Sequence, residues 1–274
     1  MNAIKDSVEI PRKFRLYKHT QTTLRYVYYF LEECLNGFWL GILSRDSIHR
    51  LDELYYQDEN LYVSDAYNKS GLFQWEEDVI DRFYFDRKSI LLLSSGGGRE
   101  IYGLRKRPFN ITAYECSPKF VSYANSFLSR HLVEASVEII GRNEIADTGI
   151  LYDGAIVGWG GYMLIQGRAR RISFLRKLRG QLEPGSPVLL SFFANTFNKK
   201  RFILTSKIAN VLRWFRNREM TDVGDFFAPN FVHFFTRDEI ANEMSAAGFK
   251  LEHYSAEPYG HAVGTANGTY PSNE

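Results

Sequence analysis

The feature that most constrains the fold is a hydrophobic run that ends in three consecutive glycines. Residues 90–93 read Ile-Leu-Leu-Leu, and Ser-Ser-Gly-Gly-Gly follows at 94–98. An uninterrupted apolar run is typical of a strand in a parallel sheet, because such strands are buried on both faces. Glycines after it allow a tight turn at positive φ and let backbone N–H groups approach a ligand. An ordinary strand–turn–helix corner has the same pattern, so the turn alone does not establish a binding site.

Strands alternate with helices from this point onward. Further strands are predicted at residues 110–115, 137–140, 152–157, 188–193, 249–255 and 260–266, with helices between most of them. Such alternation is typical of an α/β fold with a parallel, doubly wound sheet. Ligands in these folds lie beyond the carboxyl ends of the strands. The glycine turn, Glu115 and the loop after Val157 are therefore expected on one rim.

The chain before the first strand is predicted to be helical. Apolar residues keep helical spacing over 22–39, where Gly37 is expected to end the helix, and again over 47–56 and 73–85. Residues 1 to about 20 have the pattern of a weakly specified arm. The predicted organisation is a helical N-terminal cap or lid (1–85), a core (86–266) with a helical insertion at about 195–230, and a flexible tail (267–274).

Composition excludes several classes of function. The net charge of +2 gives no reason to expect a nucleic-acid partner. The two cysteines have no metal-binding spacing, and no metal site is predicted. No apolar run approaches the roughly 18 residues of a membrane span, and the first residues lack the apolar core of a signal peptide. A cytoplasmic location is expected. The sequence does not determine the oligomeric state, and a dimer is compatible with it.

Over about residues 90–266, this pattern resembles the class I S-adenosylmethionine-dependent methyltransferases, in their small-molecule branch. The resemblance rests on the loop 94–100 with its Gly-Arg-Glu ending, on Glu115, on the Pro184-Gly185 turn before the fifth strand, and on Phe-Thr-Arg-Asp-Glu followed by Ala-Ala-Gly-Phe at 235–249. It implies a Rossmann-like, mostly parallel seven-stranded sheet with a terminal antiparallel hairpin. It also implies S-adenosylmethionine as the cofactor.

The resemblance assigns a set of cofactor-binding residues. In that family the glycine-rich loop holds the methionine part of the cofactor, and an acid ending the second strand binds the ribose hydroxyls. The residues assigned to the cofactor on this basis are Ser94, Gly96, Gly97, Gly98, Glu115, Cys116, Ser117, Asn143, Glu144, Gly158 and Trp159. Asn143 or Glu144 is the nearest substitute for the family's adenine-side acid after the third strand, which is absent in its usual form. The pattern departs from the family at Leu92, where an acid is usual, and at Ser94, where a glycine is usual. Other groups are then expected to hold the amino-acid end of the cofactor, and the N-terminal cap is the expected source.

Candidate residues for the chemistry come from three segments. His233 is the candidate base and Tyr162 a second catalytic candidate, because both are expected on the same rim. Tyr62, Tyr67, Trp159, Tyr162 and His233 are predicted to contact the methyl acceptor. For Trp159 and Tyr162, aromatic residues that fill a hinge explain the sequence equally well, and a hydrogen-bonded histidine in an aromatic wall does so for His233.

The predicted function is transfer of a methyl group to an N or O atom of a small molecule, such as a secondary metabolite. No Asn/Asp-Pro-Pro-aromatic motif is present, which argues against methylation of nucleic-acid amino groups. Three alternatives stay open: a methyltransferase for a peptide or RNA, a non-catalytic cofactor-binding protein, and an NAD-dependent oxidoreductase.

Overall fold

The computed structural model describes residues 11–196 and 199–268; residues 1–10 of the predicted arm and 269–274 of the predicted tail lie outside the described residues. The helices are α1 (Arg12–Ile42), α2 (Arg45–Asp58), α3 (Asp65–Lys69), α4 (Gln74–Phe83), α5 (Arg99–Leu104), α6 (Pro118–Arg130), α7 (Arg168–Gly180), α8 (Lys199–Trp214) and α9 (Arg237–Ala246). The strands are β1 (Ser89–Leu93), β2 (Asn110–Glu115), β3 (Val137–Ile139), β4 (Gly154–Val157), β5 (Pro187–Ala194), β6 (Asp225–Phe227), β7 (Phe231–Phe235), β8 (Phe249–Ser255) and β9 (Gly260–Ala266). Short 3₁₀ turns lie at Leu61–Val63 and Tyr162–Leu164.

The sheet has the predicted doubly wound, mostly parallel architecture. Strands β3, β2, β1, β4 and β5 lie side by side and parallel, in that order. Strand β9 then pairs antiparallel with β5, and β8 pairs antiparallel with β9. All seven predicted strands are present, and the terminal antiparallel hairpin is confirmed.

Two further strands were not predicted. Strand β5 is long: its residues 187–192 pair with β9, while Phe193 and Ala194 pair in parallel with the end of β7. Strand β6 pairs antiparallel with β7. The described sheet therefore has nine strands rather than seven. The prediction missed this pair because the apolar run 231–235 was interpreted only as the approach to the capped helix α9.

The core has one layer on each face of the sheet. Helices α7 and α9 contribute Phe174, Leu175 and Ile240 to one buried cluster. Helices α4, α5 and α6 contribute Val79, Ile101 and Phe127 to the other, together with Leu92 from β1. Leu92 is fully buried there, so the position where an acid is usual belongs to the core.

Helix α1 differs from the prediction at both ends. It begins at Arg12, inside the segment predicted as an arm, and continues past Gly37 to Ile42. A Cβ at Gly37 would lie 2.8 Å from the Thr205 carbonyl oxygen and from Ile208 Cβ, and a Cβ at Gly41 would lie 2.7 Å from Leu212 Cβ. The two glycines therefore do not end the helix; they allow α1 and α8 to pack side by side with their backbones close.

Candidate active site

A cavity of about 460 Å³ lies at the carboxyl ends of β1 to β4. Its wall includes Leu93 at the end of β1, Glu115 at the end of β2, and the segments that follow β3 and β4. This is the rim where a doubly wound fold binds ligands, and the volume is within the range of small-molecule sites. The predicted residues on its wall are Tyr62, Ser94, Gly96, Glu115, Cys116, Ser117, Asn143, Glu144 and Trp159.

The glycine turn presents backbone rather than side chains to this cavity. Gly96 has φ of 53°, and a Cβ built on it would meet nothing within 4 Å. Ser94 also has a positive φ, of 55°. Gly96 lines the cavity, so its missing side chain leaves room that a ligand can occupy.

Glu115 is held rigidly beside that turn. Its Oε2 accepts a hydrogen bond from Gly96 N at 2.9 Å, and its Oε1 accepts from Cys116 N at 2.7 Å and Ser117 N at 2.9 Å. A carboxylate has about four acceptor sites, so these three bonds leave capacity for a ligand hydroxyl. The carboxylate is only 6% exposed but reaches the cavity. This arrangement fits a ribose-binding acid.

The cavity is covered by α2, which contributes Glu53, Tyr56 and Gln57 to its wall. Asp52 on the same helix is fully buried, accepts a hydrogen bond from Arg142 Nη2 at 2.6 Å, and accepts another from Phe231 N at 3.0 Å. Burial raises the pKa of Asp52, although Arg142 opposes the shift. Arg142 also lines the cavity, so one ion pair fixes α2 to the loop after β3.

Lys119, near the start of α6, holds the carboxyl end of the same helix. Its Nζ donates to the Gln57 carbonyl oxygen at 2.7 Å and to the Glu59 carbonyl oxygen at 2.8 Å. A cation satisfies the last carbonyls of a helix and interacts favourably with its dipole. Both anchors of α2 therefore come from residues on the cavity wall.

Four predicted site residues, Gly97, Gly98, Gly158 and Tyr67, do not line the cavity, and their contacts are with neighbouring parts of the chain. A Cβ at Gly97 would overlap the Tyr62 carbonyl oxygen, and one at Gly158 would overlap the Ser94 carbonyl oxygen. Gly98 has φ of 96° and begins α5. Tyr67 packs edge-on against Tyr62, with ring centroids 5.6 Å apart. These glycines allow the cap and the β4 loop to approach the turn closely.

The Gly-Arg-Glu ending of the turn connects three parts of the chain. Arg99 is 1% exposed and donates to Glu76 at 2.6 and 2.8 Å and to Glu100 at 2.8 Å. Glu100 accepts a hydrogen bond from Trp159 N at 3.1 Å. The buried charges therefore link α4, the glycine turn and the loop after β4. Trp159, which lines the cavity, packs edge-on against Tyr259 at 4.5 Å.

The two predicted catalytic residues lie away from the cavity wall. Tyr162 is fully buried, and its hydroxyl donates to Glu243 Oε2 at 2.6 Å; Glu243 is also paired with Arg171 at 2.7 Å. His233 is fully buried in β7, with Nδ1 2.7 Å from Asp225 Oδ1. Their burial argues against the catalytic and acceptor-binding roles predicted for both residues.

His233 belongs to an ion-pair cluster. Burial and Arg171 lower its pKa, but the hydrogen-bonded Asp225 carboxylate and the Glu239 carboxylate, 3.8 Å from Nε2, outweigh them, so the pKa of His233 is raised above its usual 6.5. Asp222, Asp225 and His233 offer ligand atoms within 4.8 Å of one another. The Arg171 guanidinium lies 3.3 Å from Asp222 Oδ2, and a buried cation there already balances the carboxylates.

The raised pKa predicts a pH-dependent stability. A group whose folded-state pKa exceeds its unfolded value stabilises the fold below the unfolded pKa, and this stabilisation is lost as pH rises through the folded pKa. We expect the unfolding free energy of wild type, minus that of His233→Gln, to decrease as pH rises from 6 upward. Urea titrations of both proteins at several pH values measure this. A difference that is flat or increases with pH would contradict it.

Several cavity residues were not predicted: Glu53, Tyr56, Gln57, Lys119, Phe120, Arg142, Leu164, Ile165 and Phe174. The position of Arg142, directly before the predicted Asn143 and Glu144, was an available signal. For α2, the helical spacing of apolar residues over 47–56 did not indicate which residues face the cavity. Leu51 and Leu54, which belong to that spacing, are 44% and 45% exposed.

Comparison with known proteins agrees with this geometry. No protein-family model and no curated protein matches the sequence. Solved structures do match: an S-adenosylmethionine-dependent methyltransferase from Methanosarcina mazei is 14% identical with a TM-score of 0.57, over 72% of this chain and 99% of that one. CalS10, an amino pentose methyltransferase from Micromonospora echinaspora solved with S-adenosylmethionine bound, is 15% identical with a TM-score of 0.53, over 74% and 95%. KedS8, a sugar N-methyltransferase from a Streptoalloteichus species, is 15% identical with a TM-score of 0.51, over 78% and 92%. The chain thus has the fold of the class I S-adenosylmethionine-dependent methyltransferases.

Proposed function

We propose that this protein is an S-adenosylmethionine-dependent methyltransferase that acts on an N or O atom of a small molecule. The observation that carries the proposal is the Glu115 carboxylate, fixed by three backbone N–H groups and facing the cavity beside Gly96. The acceptor class follows the amino pentose and sugar N-methyltransferases that share the fold.

In the part of the chain that the structure describes, no helix is long and apolar enough to cross a membrane. The cytoplasmic location and the cap, core, insertion and tail boundaries stay predictions.

Each part of the cofactor has a matching part of the wall. Glu115 would accept the ribose hydroxyls, and Asn143 and Glu144 after β3 would face the adenine. The turn at Ser94 and Gly96 would accommodate the methionine end, with Tyr56 and Gln57 of α2 as the expected substitute for an acid at Leu92. The cofactor supplies an electrophilic methyl group on a sulfonium.

The remaining wall suits an acceptor with an apolar part. Trp159, Leu164, Ile165 and Phe174 follow β4 and form an apolar surface. Burial raises the pKa of Tyr62 to about 12, so its hydroxyl stays protonated at neutral pH and is suited to donate a hydrogen bond to the acceptor. The chain then contributes alignment and exclusion of water, which account for roughly 7–11 kcal/mol in favourable cases.

The direct test is methyl transfer itself. The full-length protein is incubated with S-adenosylmethionine labelled on the methyl group and with a panel of amino sugars, phenols and small amines. We expect label to enter at least one small acceptor. Cofactor binding with no transfer to any acceptor class would leave a non-catalytic binding protein, and transfer only to peptide or RNA would replace the acceptor class. Binding of NAD instead of S-adenosylmethionine would overturn the proposal.

The α2 cover gives a second test. Lys119→Met keeps the length of the side chain but removes the donor to the Gln57 and Glu59 carbonyl oxygens. A charged hydrogen bond contributes about 1.5–3 kcal/mol, so we expect roughly tenfold weaker binding of S-adenosylmethionine, mainly through faster dissociation. Stopped-flow binding measures this. Lys250→Met, at a lysine 70% exposed on β8, is the matched control and should leave the rate unchanged; equal dissociation rates for all three proteins would contradict the role of α2.

A further inference from the structure

The amino-terminal two thirds of α1 project from the body of the protein. Helix α8 contacts the carboxyl-terminal part of α1, where Arg201 pairs with Glu32 and Thr205 donates to the Glu33 carbonyl oxygen, and the Arg201 guanidinium lies 5.3 Å from the centre of the Tyr29 ring. Every residue from Pro11 to Leu31 is exposed. At 1.5 Å per residue this projecting segment is about 30 Å long. We call residues 12–31 the α1 arm.

The α1 arm carries an unusual concentration of large apolar side chains. Leu24, Tyr26, Val27, Tyr28, Phe30 and Leu31 are each between 51% and 71% exposed. Leu24, Val27, Tyr28 and Leu31 belong to the helical spacing of apolar residues over 22–39, yet within one copy of the chain none of them is buried. Their exposure is the observation that a partner would explain.

The exposed area is large enough for a stable interface. Each aromatic side chain offers about 150–250 Å², and the arm also exposes Phe14 and Tyr17 by 65% and 64%. The total is on the order of 1,000 Å². The largest apolar patch on a typical monomer is roughly 300–600 Å², whereas a standard interface buries about 800 Å² per partner.

Helix stability leads to the same conclusion. Most of the stability of a helix in a protein comes from tertiary packing of its apolar face rather than from helix propensity. The arm holds Thr20, Thr22, Thr23, Val27 and several aromatic residues, which have lower helix propensity. Packing against a partner would supply the missing stabilisation.

We propose that a second copy of this chain covers the α1 arm, so that two α1 helices pack antiparallel in a two-fold symmetric dimer. The charges of the helix favour this occupant and this direction. Residues 12–25 hold five Lys or Arg and no acid, and Glu32 and Glu33 in the other half already face Arg201 of the same copy. Antiparallel packing keeps the two basic segments at opposite ends of the helix pair, whereas parallel packing brings them together.

The arrangement of apolar residues argues against a lipid surface. Residues 26–31 are six consecutive apolar or tyrosine residues, so they surround the helix. A membrane-surface helix collects its apolar residues on one face and its cations on the other. Tyr and Phe are enriched at protein interfaces, which is the composition of this segment.

The oligomeric state of the full-length protein tests the proposal. By light scattering after size exclusion at about 10 µM, we expect a dimer for wild type and a monomer for Leu24→Lys/Tyr28→Lys, whose positions lie four residues apart on one face. The dimer dissociation constant should rise at least 100-fold. The matched control, Phe85→Lys/Leu132→Lys, changes two residues that are 78% and 92% exposed outside α1 and should remain a dimer. Binding of S-adenosylmethionine by all three proteins confirms that each is folded.

Helix direction is measured separately with a spin label at position 15, after Cys34 and Cys116 are replaced by Ser. An antiparallel pair centred on residues 24–31 places the two labels more than about 30 Å apart, and a parallel pair places them about 10 Å apart. A monomeric wild type, or a dimer that survives the arm substitutions, would overturn the proposal. A monomer that sediments with anionic vesicles would assign the arm to a lipid surface instead.

Discussion

Glu115→Ala is expected to weaken S-adenosylmethionine binding by at least about 100-fold. The substitution removes the hydrogen bonds to two ribose hydroxyls, and each hydrogen bond to a charged group contributes about 1.5–3 kcal/mol. Because 1.4 kcal/mol corresponds to a tenfold change in affinity, the loss of both bonds weakens binding by at least about 100-fold. The substitution also leaves the N–H groups of Gly96, Cys116 and Ser117 without their acceptor. Isothermal titration calorimetry measures the effect, and S-adenosylhomocysteine should lose affinity equally, because both molecules share the ribose.

Two controls separate this role from charge and from folding. Glu138→Ala removes the same charge from an exposed position on β3 and should bind the cofactor normally. Gly96→Val and Gly185→Val impose the same kind of strain, because both glycines have positive φ and open space around the missing Cβ. Only Gly96→Val should abolish binding. A Glu115→Ala protein within threefold of wild-type affinity would remove the cofactor assignment.

The sheet could be predicted from the sequence because burial on both faces leaves an unambiguous pattern. Residues 90–93 are apolar without interruption and residues 188–193 are apolar except for Ser191, and each run follows or precedes a turn marked by Gly or Pro. Glu115 could be located because a strand end fixes both its position and its direction. Its neighbours Cys116 and Ser117 then followed on the same rim.

The side-chain partners could not be predicted in the same way. Tyr162 pairs with Glu243 and His233 with Asp225, and the sequence shows neither that these residues meet nor that they turn away from the cavity. Asp52 lies beside Ile48 on the buried face of α2, and its burial could not be predicted because Arg142 and the Phe231 backbone, which satisfy its carboxylate, are distant in sequence. Such partners are distant in sequence, so they become visible only when the strands are placed in order.

Loss of one member of the Arg99 cluster is expected to have the largest effect on stability. Glu76→Ala removes the carboxylate that accepts hydrogen bonds from both terminal nitrogens of Arg99, whose side chain is only 2% exposed. Removing one partner of a buried pair typically costs 3–5 kcal/mol, because a buried charge loses its balance. We expect the unfolding free energy in urea to fall by about that amount. Glu100 stays bonded to Arg99, which favours the lower end of the range.

The neighbouring residue offers the matched control. Glu77 pairs with Arg107, but its side chain is 38% exposed, and exposed pairs contribute at most about 1 kcal/mol. Glu77→Ala should therefore lower the unfolding free energy by less than 1 kcal/mol. The triple variant Glu76→Met/Arg99→Met/Glu100→Gln should be more stable than Glu76→Ala alone, because it removes Arg99 together with both of its buried carboxylate partners and leaves no uncompensated charge in the core. If Glu76→Ala and Glu77→Ala lower the unfolding free energy equally, the Arg99 cluster does not join the cap to the glycine turn. A triple variant less stable than Glu76→Ala would mean that packing of the Arg99 guanidinium over the Phe73 ring, 4.1 Å from the ring centroid, matters more than the ion pairs.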